Sequence, residues 1–275
     1  MKAYEIINAI CARETEWDYS RSCDGVKAGD PNAEVSKIAV CMFPTVKVLR
    51  QAAEWGAKLL VTHEPLYFKH MDEHAEEPVE AEKRAIAEKA GLTVYRYHDH
   101  AHREKPDRII KGVVRAMDPK GSVEIPEKNK ARIIPEKPVS PRALARELEK
   151  KLDLKHIRIA GAADVPCSRV SVMVGSPRTD LQLEELQCDL CEVLVTGEVC
   201  EWQLCEYARD AAELGRKKAV LILGHAGSER EGMKDFAEEL ARLFPETRVT
   251  YFDCGEAYTY TEQILQKGGT DHAVR

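Results

Sequence analysis

Short, uniformly apolar runs alternate with longer amphipathic stretches along nearly the whole chain. Residues 37–42, 58–62, 92–98, 169–174, 192–196, 218–223 and 247–252, with a weaker run near 156–160, are compact, rich in Val, Ile and Leu, and closed by polar or glycine positions. Runs of this length without alternation predict strands buried on both faces. Between them, residues 2–13, 45–56, 79–90, 107–117, 140–152, 180–190, 199–214 and 229–243 space their apolar positions for helices. Gly56 and Gly91 stand where helices end, Ser140-Pro141 where one starts, and Ser228 with Glu231 fits a capping box for the last long helix. The segment 118–140, with Pro119, Gly121, Pro126, Pro135 and Pro138, is the clearest break in the pattern. Alternation of this kind predicts an α/β fold, sheets flanked by helices.

The second half echoes the first. Ser36-Lys37-Ile38-Ala39-Val40 matches Ser168-Arg169-Val170-Ser171-Val172, and Leu60-Val61-Thr62-His63-Glu64 matches Leu194-Val195-Thr196-Gly197-Glu198. His98 and His102 then correspond to His225 and Glu229, each pair just ahead of a helix. Three matches in the same order predict two pseudo-duplicated α/β lobes, residues 1–126 and 127–275, with a metal cleft between them. The terminal strand is free to return to the first lobe.

Composition narrows the class. Hydrophobic residues make up 44% and charged residues 32% of the 275, as in ordinary globular proteins. The 41 Lys and Arg against 47 Asp and Glu leave a net charge of −6, which counts against a nucleic-acid binder or a transcription regulator. No apolar run is long enough to span a membrane, and the first residues lack a signal-peptide core, so a cytoplasmic protein is expected. Nine cysteines, an odd number and scattered, read as reduced thiols. Cys188, Cys191, Cys200 and Cys205 make a poor zinc knuckle, because a strand-like run separates the two pairs. They are read as buried or incidental thiols.

The remaining chemistry is concentrated at strand ends. Ligands of open α/β sheets gather beyond the carboxyl ends of strands, where His63, Glu64, His98, His102, His225 and Glu229 fall. Six of the nine histidines lie between 63 and 102. His63-Glu64 is not the start of a zincin helix, since Pro65 follows and Tyr67 stands where the second histidine belongs. A metal must therefore be gripped from separate strands. Mixed imidazole and carboxylate suit zinc, iron, manganese or cobalt better than calcium. Two lobes, each with a histidine and a second ligand, suggest two divalent ions bridged by a carboxylate. Asp99, His100, His70 and His74 are candidate orienting or acid–base groups, although His74 lies in an acidic, solvated stretch.

Leu-Val-Thr-His-Glu-Pro-Leu-Tyr-Phe at 60–68, Tyr-His-x-x-x-His at 97–102, Val-Thr-Gly-Glu at 195–198 and Gly-His-x-x-Ser-Glu-x-x-Gly at 224–232 together resemble the Nif-three-like family of dinuclear-metal proteins, also labelled type 2 GTP cyclohydrolase I. The resemblance covers essentially the whole chain. It implies two α/β lobes, a two-metal site and a homo-oligomer, a hexameric ring. Carried over by position, it implies His63, Glu64, His102, His225 and Glu229 as metal ligands, Glu229 bridging. Family members carry His where this chain has Glu64, and Asp where it has His102, which exchanges nitrogen for oxygen across the site. His98 is expected to contact substrate or orient His102, and His98 or Asp99 to move protons. The implied activity is metal-dependent hydrolysis of a small molecule: C8 of a guanine nucleotide, a phosphoester or a cyclic amide. No glycine-rich phosphate loop supports the nucleotide independently. The alternative is a non-catalytic metal-binding scaffold or storage ring.

Overall fold

The computed structural model describes residues 1–12, 19–73, 77–127 and 129–260. Its strands, in chain order, are β1 (Gly25–Ala28), β2 (Lys37–Cys41), β3 (Leu59–Thr62), β4 (Thr93–Arg96), β5 (Gly121–Glu127), β6 (Lys130–Pro135), β7 (Arg158–Gly161), β8 (Val170–Met173), β9 (Val193–Thr196), β10 (Ala219–Ile222) and β11 (Arg248–Tyr251). The helices are α1 (Ala3–Cys11), α2 (Val46–Trp55), α3 (Pro78–Ala90), α4 (Asp99–Arg103), α5 (Arg108–Met117), α6 (Pro141–Lys151), α7 (Thr179–Gln187), α8 (Glu206–Glu213) and α9 (His225–Leu243).

The strands form two sheets of one design. The first runs β1-β4-β3-β2-β11 and the second β7-β10-β9-β8-β6-β5. In each, three parallel strands (β2, β3, β4 or β8, β9, β10) are edged by an antiparallel strand that precedes them in sequence (β1 or β7). The two halves of the chain thus repeat the same winding. β11 leaves the second half to pair in parallel with β2, Arg248 opposite Lys37 and Tyr251 opposite Val40.

Strand residues alternate between layers. Ile38, Val40, Leu59 and Val61 of the first sheet share one core with Val170, Val172, Val193 and Val195 of the second, filled in by α1, α5, α6 and α9. The opposite faces, Ala39, Cys41 and Leu60 on one sheet and Met173, Leu194 and Val220 on the other, are covered by α2 with α3 and by α7 with α8. Burial on both faces explains why the central strands read as unbroken apolar runs.

Three local expectations are corrected. The proline-rich segment 118–140, at the expected boundary between lobes, holds the β5–β6 hairpin on the edge of the second sheet. The helix expected over 229–243 begins at His225, with Gly224 as N-cap at φ +77°, and Ser228 does not cap it. Residues 199–214 divide into a π-helical turn, Glu201–Cys205, followed by α8. No helix among the described residues is long and apolar enough to cross a membrane.

Candidate metal centre

Each chemical side chain sits just past the carboxyl end of a parallel strand. Beyond β3, the His63 and Glu64 amides donate to Cys41 O and Met42 O at 3.3 and 2.9 Å, extending the pairing with β2. Beyond β4, Tyr97 N donates to Thr62 O (2.8 Å), and the single-turn helix α4 then presents His102. Its first turn is anchored by Asp24, whose carboxylate accepts the amides of His98, Asp99 and His100 at 2.8, 2.8 and 2.9 Å. Beyond β10, α9 starts at His225, and helical spacing stacks Glu229 one turn on.

These residues converge on the Glu229 carboxylate. His102 Nε2 lies 3.7 Å from Oε1, and His63 Nε2 lies 3.8 Å from Oε2. His225 Nε2 is 3.2 Å from the same Oε2 and 3.0 Å from Glu64 Oε1. His98 Nε2 is 4.0 Å from Glu64 Oε1. All five residues implied as ligands, and His98 with them, therefore occupy one cleft, and contacts of potential ligand spacing unite His63, Glu64 and Glu229, and also His63, His98 and His102. His63, Glu64, His102 and Glu229 are buried, whereas the His225 and His98 side chains remain about one-fifth exposed at the mouth.

The outer faces of these histidine rings are held by oxygen atoms. His63 Nδ1 is 3.1 Å from Tyr97 O, His102 Nδ1 is 2.9 Å from Asp107, and His225 Nδ1 is 2.7 Å from Glu198. Partners of this kind fix ring orientation and raise ligand basicity. Glu64 Oε2 faces Arg96 Nη2 at 3.3 Å, which turns Oε1 toward the cleft. Neither Asp107 nor Glu198 is among the site residues expected from the sequence. Glu198 stands in the second-half match to Glu64, and that repetition was a usable signal. Asp107 offers only an acid five residues past His102 at a helix start, where it also caps α5 through Ile109 N and Ile110 N.

Glycines make room for Glu229. A Cβ on Gly175 would lie 2.5 Å from Glu229 Oε1, and the residue has φ +72°, a conformation suited to glycine. Gly197 occupies the position matching His63. A Cβ there would meet Gly175 O at 2.1 Å and Ser228 Oγ at 2.6 Å. Ser228 Oγ instead accepts Gly175 N (2.9 Å) and donates to His225 O (2.8 Å), tying the loop after β8 to the start of α9.

The electrostatics are those of a site built around positive charge. Burial disfavours the Glu64 carboxylate, yet His225, His98 and Arg96 hold its pKa down at about 2. Burial likewise opposes a charged His225, but Glu198, Glu229 and Glu64 push it up to about 12. His102 is raised to about 9 against burial, chiefly by Asp107, with help from Glu229 and Glu64. His63 is driven well below its usual value by burial and the neighbouring histidines. The residues fit a cation: His63 Nε2 and Glu229 Oε2 are buried with no hydrogen-bond partner, an arrangement that costs about 1–3 kcal/mol per group when nothing satisfies it.

The other candidates are placed apart from this convergence. His100 bonds Asp24 at 2.6 Å and is raised to about 9, with burial opposing and the Asp24 hydrogen bond dominating the rise. His70 is exposed, its ring 6.0 Å from that of His98. His74 lies outside the described residues. Cys23, Asp24, His98 and Asp99 form a further close group, but the Asp24 oxygens are occupied by the amides above and burial pushes the Cys23 thiol up. Cys191 is buried and Cys188 Sγ donates to Glu185 O at 3.1 Å.

The Duf34/NIF3 family model (NGG1p interacting factor 3) matches residues 1–254. The chain belongs to the Duf34/NIF3 family. A protein of Clostridium perfringens named "GTP cyclohydrolase 1 type 2 homolog" is 24% identical over 222 residues, covering 74% of this chain and 78% of the relative. A Campylobacter jejuni protein of the same name is 23% identical over 235 residues, 84% of this chain and 86% of the relative. The crystal structure of a Bacillus cereus protein related to NIF3 superposes with a TM-score of 0.73 at 14% identity, covering 96% of this chain and 99% of that one. At that identity the likeness establishes the Duf34/NIF3 fold and nothing finer.

Proposed function

We propose that this protein is a dinuclear-metal hydrolase in which His63, Glu64, His102, His225 and Glu229 hold two divalent cations on either side of the Glu229 carboxylate. The observation that carries the reading is the approach of two buried atoms, neither of them hydrogen-bonded, His63 Nε2 and Glu229 Oε2, 3.8 Å apart. Zinc, iron or manganese suits the mixed donor set. Bound there, such ions polarise a substrate oxygen and bring the pKa of water toward neutrality.

The chain's own residues prepare the site. Asp107 and Glu198 fix the His102 and His225 rings, so that neither must be ordered when substrate arrives. Burial would raise Asp99, but hydrogen bonds from His98 and Ser22 hold its carboxyl below the usual range. Asp99 accordingly positions His98 and is a poor proton relay. His70 stands exposed beside His98, the two rings 6.0 Å apart.

The relatives' shared name makes the guanine ring of GTP the first substrate to test, ahead of phosphoesters and cyclic amides. Protein stripped with a chelator and then replenished should form product only when metal is returned, and His225→Ala should lower turnover on the order of 100-fold or more. Tight metal binding without product across the panel would make the protein a storage or scaffold ring instead. Assembly as a hexamer belongs to the same proposal. Light scattering on the eluted protein is expected to give six copies, and a monodisperse monomer removes the ring.

Metal uptake should depend steeply on pH. In the metal-free protein His102 gains stability from its proton below 6.5, the usual value, and loses it as pH rises through about 9. A metal competes for the same nitrogen, so its binding strengthens over that interval as fewer protons must be displaced. The rise in Tm on adding zinc is therefore expected to widen from pH 6.5 to 9. A constant rise would show that no ligand proton is released.

A further inference from the structure

We propose that His98 is itself a metal ligand, completing with His63 and His102 a three-imidazole position for a zinc-like ion. This rests on the two-metal reading above and assigns one of its two positions. The three rings form a near-equilateral group, with centroids 4.6 Å (His63–His98), 4.9 Å (His63–His102) and 4.9 Å (His98–His102) apart. One nitrogen from each lies within 4.8 Å of the others. A tetrahedral ion about 2.0 Å from each nitrogen spaces them about 3.3 Å apart, so the rings need to draw in by at most about 1.5 Å.

The hydrogen bonds decide which nitrogens face inward. His63 Nδ1 faces Tyr97 O, His98 Nδ1 faces Asp99 Oδ1 at 3.1 Å, and His102 Nδ1 faces Asp107 Oδ2. A carbonyl oxygen only accepts. The Asp99 carboxylate also receives Ser22 Oγ–H and Cys23 N–H, and Asp107 receives the amides of Ile109, Ile110 and Asn129, so both behave as acceptors. Every Nδ1 must therefore donate, leaving three Nε2 atoms as the inward-facing donors to a cation. His63 Nε2, fully buried, has no hydrogen-bond partner. Asp24 fixes the backbone at His98 through its amide (2.8 Å), so the third ring is held in place rather than recruited from solution. An orienting acceptor on the far nitrogen is the usual companion of a metal-bound histidine, and here all three rings have one.

The two positions then differ in kind. Three nitrogens with Glu229 would favour zinc or cobalt, while His225 and Glu64, again with Glu229, would make a more oxygen-rich position. The test uses stripped full-length protein titrated with cobalt(II), read by calorimetry and by the visible absorption of tetrahedral cobalt. Wild type should bind the first equivalent tightly, with intense bands. In both His98→Ala and His98→Asn, with circular dichroism confirming the fold, that first equivalent should weaken on the order of 100-fold and the bands collapse, while the second is retained. His225→Ala should do the reverse. If both His98 variants bind the first equivalent with unchanged affinity and spectrum, His98 is not a ligand and this inference fails alone. If wild type binds no cobalt or zinc, the two-metal reading fails with it.

Discussion

Glu229→Gln is expected to abolish tight binding of both cations while leaving the fold in place. The substitution keeps the shape that Gly175 accommodates but removes the one charge shared by the two sides of the cleft. Oε1 faces His102 and Oε2 faces His63 and His225, so this one side chain meets three of the other implied ligands. Loss of an orienting partner, one bond further from a metal, typically costs 10–100-fold in affinity, and loss of a bridging carboxylate should exceed about 100-fold at each position. Thermal melts supply a second readout. Metal at a hundred times its Kd stabilises a site by about 2.7 kcal/mol, which for a chain of this size corresponds to a rise on the order of 5–10 °C. The wild-type protein should show that rise with zinc, and the variant almost none. Two ions bound at undiminished affinity in the variant would remove Glu229 from the centre of the site.

What the sequence made legible follows from where side chains point. The central strands are buried on both faces, so their apolar runs stand out, and their ends are where the histidines gather. The matched segments of the two halves fall on β2 with β8 and β3 with β9, which occupy equivalent places in the two sheets. The hairpin over 118–140 was hidden by its prolines. Pro126 sits in the edge strand β5, within an irregular register between Glu124 and Glu127, and Pro135 is the last residue of β6, positions where a missing N–H is tolerated. Helix α9 starts ahead of the position that the capping pattern predicts, because Ser228 Oγ accepts from a distant amide, Gly175 N, rather than from an amide of its own helix. Asp24 carries no local signal of its role, since it acts on backbone brought near only by the fold, and Asp107 is marked only as an acid at a helix start.

The second large effect is expected from a helix crossing rather than from a proposed ligand. Helices α5 and α9 cross with glycine against glycine: a Cβ on Gly112 would lie 2.7 Å from Gly232 Cα, and one on Gly232 would lie 2.7 Å from Ile109 Cα and 2.8 Å from Ile109 O. Those contacts are with backbone, so a side-chain rotation cannot relieve them, and the helices must separate. Gly232→Ala should therefore destabilise the protein by about 1–3 kcal/mol, the usual range for overpacking a core, even though alanine is the better helix former. The same separation must disturb the site. Asp107 caps α5 and orients His102, while His225 and Glu229 open α9, so this crossing sets the distance between the proposed ligands of the two halves. Gly232→Ala is accordingly expected to lower Tm and to weaken metal binding together, as measured by thermal denaturation and calorimetric titration on the same preparation. Gly112→Ala should behave alike, and the double variant should cost less than the sum of the two, because one displacement relieves both clashes. A Gly232→Ala protein with wild-type Tm and wild-type metal affinity would mean that the crossing is not what spaces the ligands.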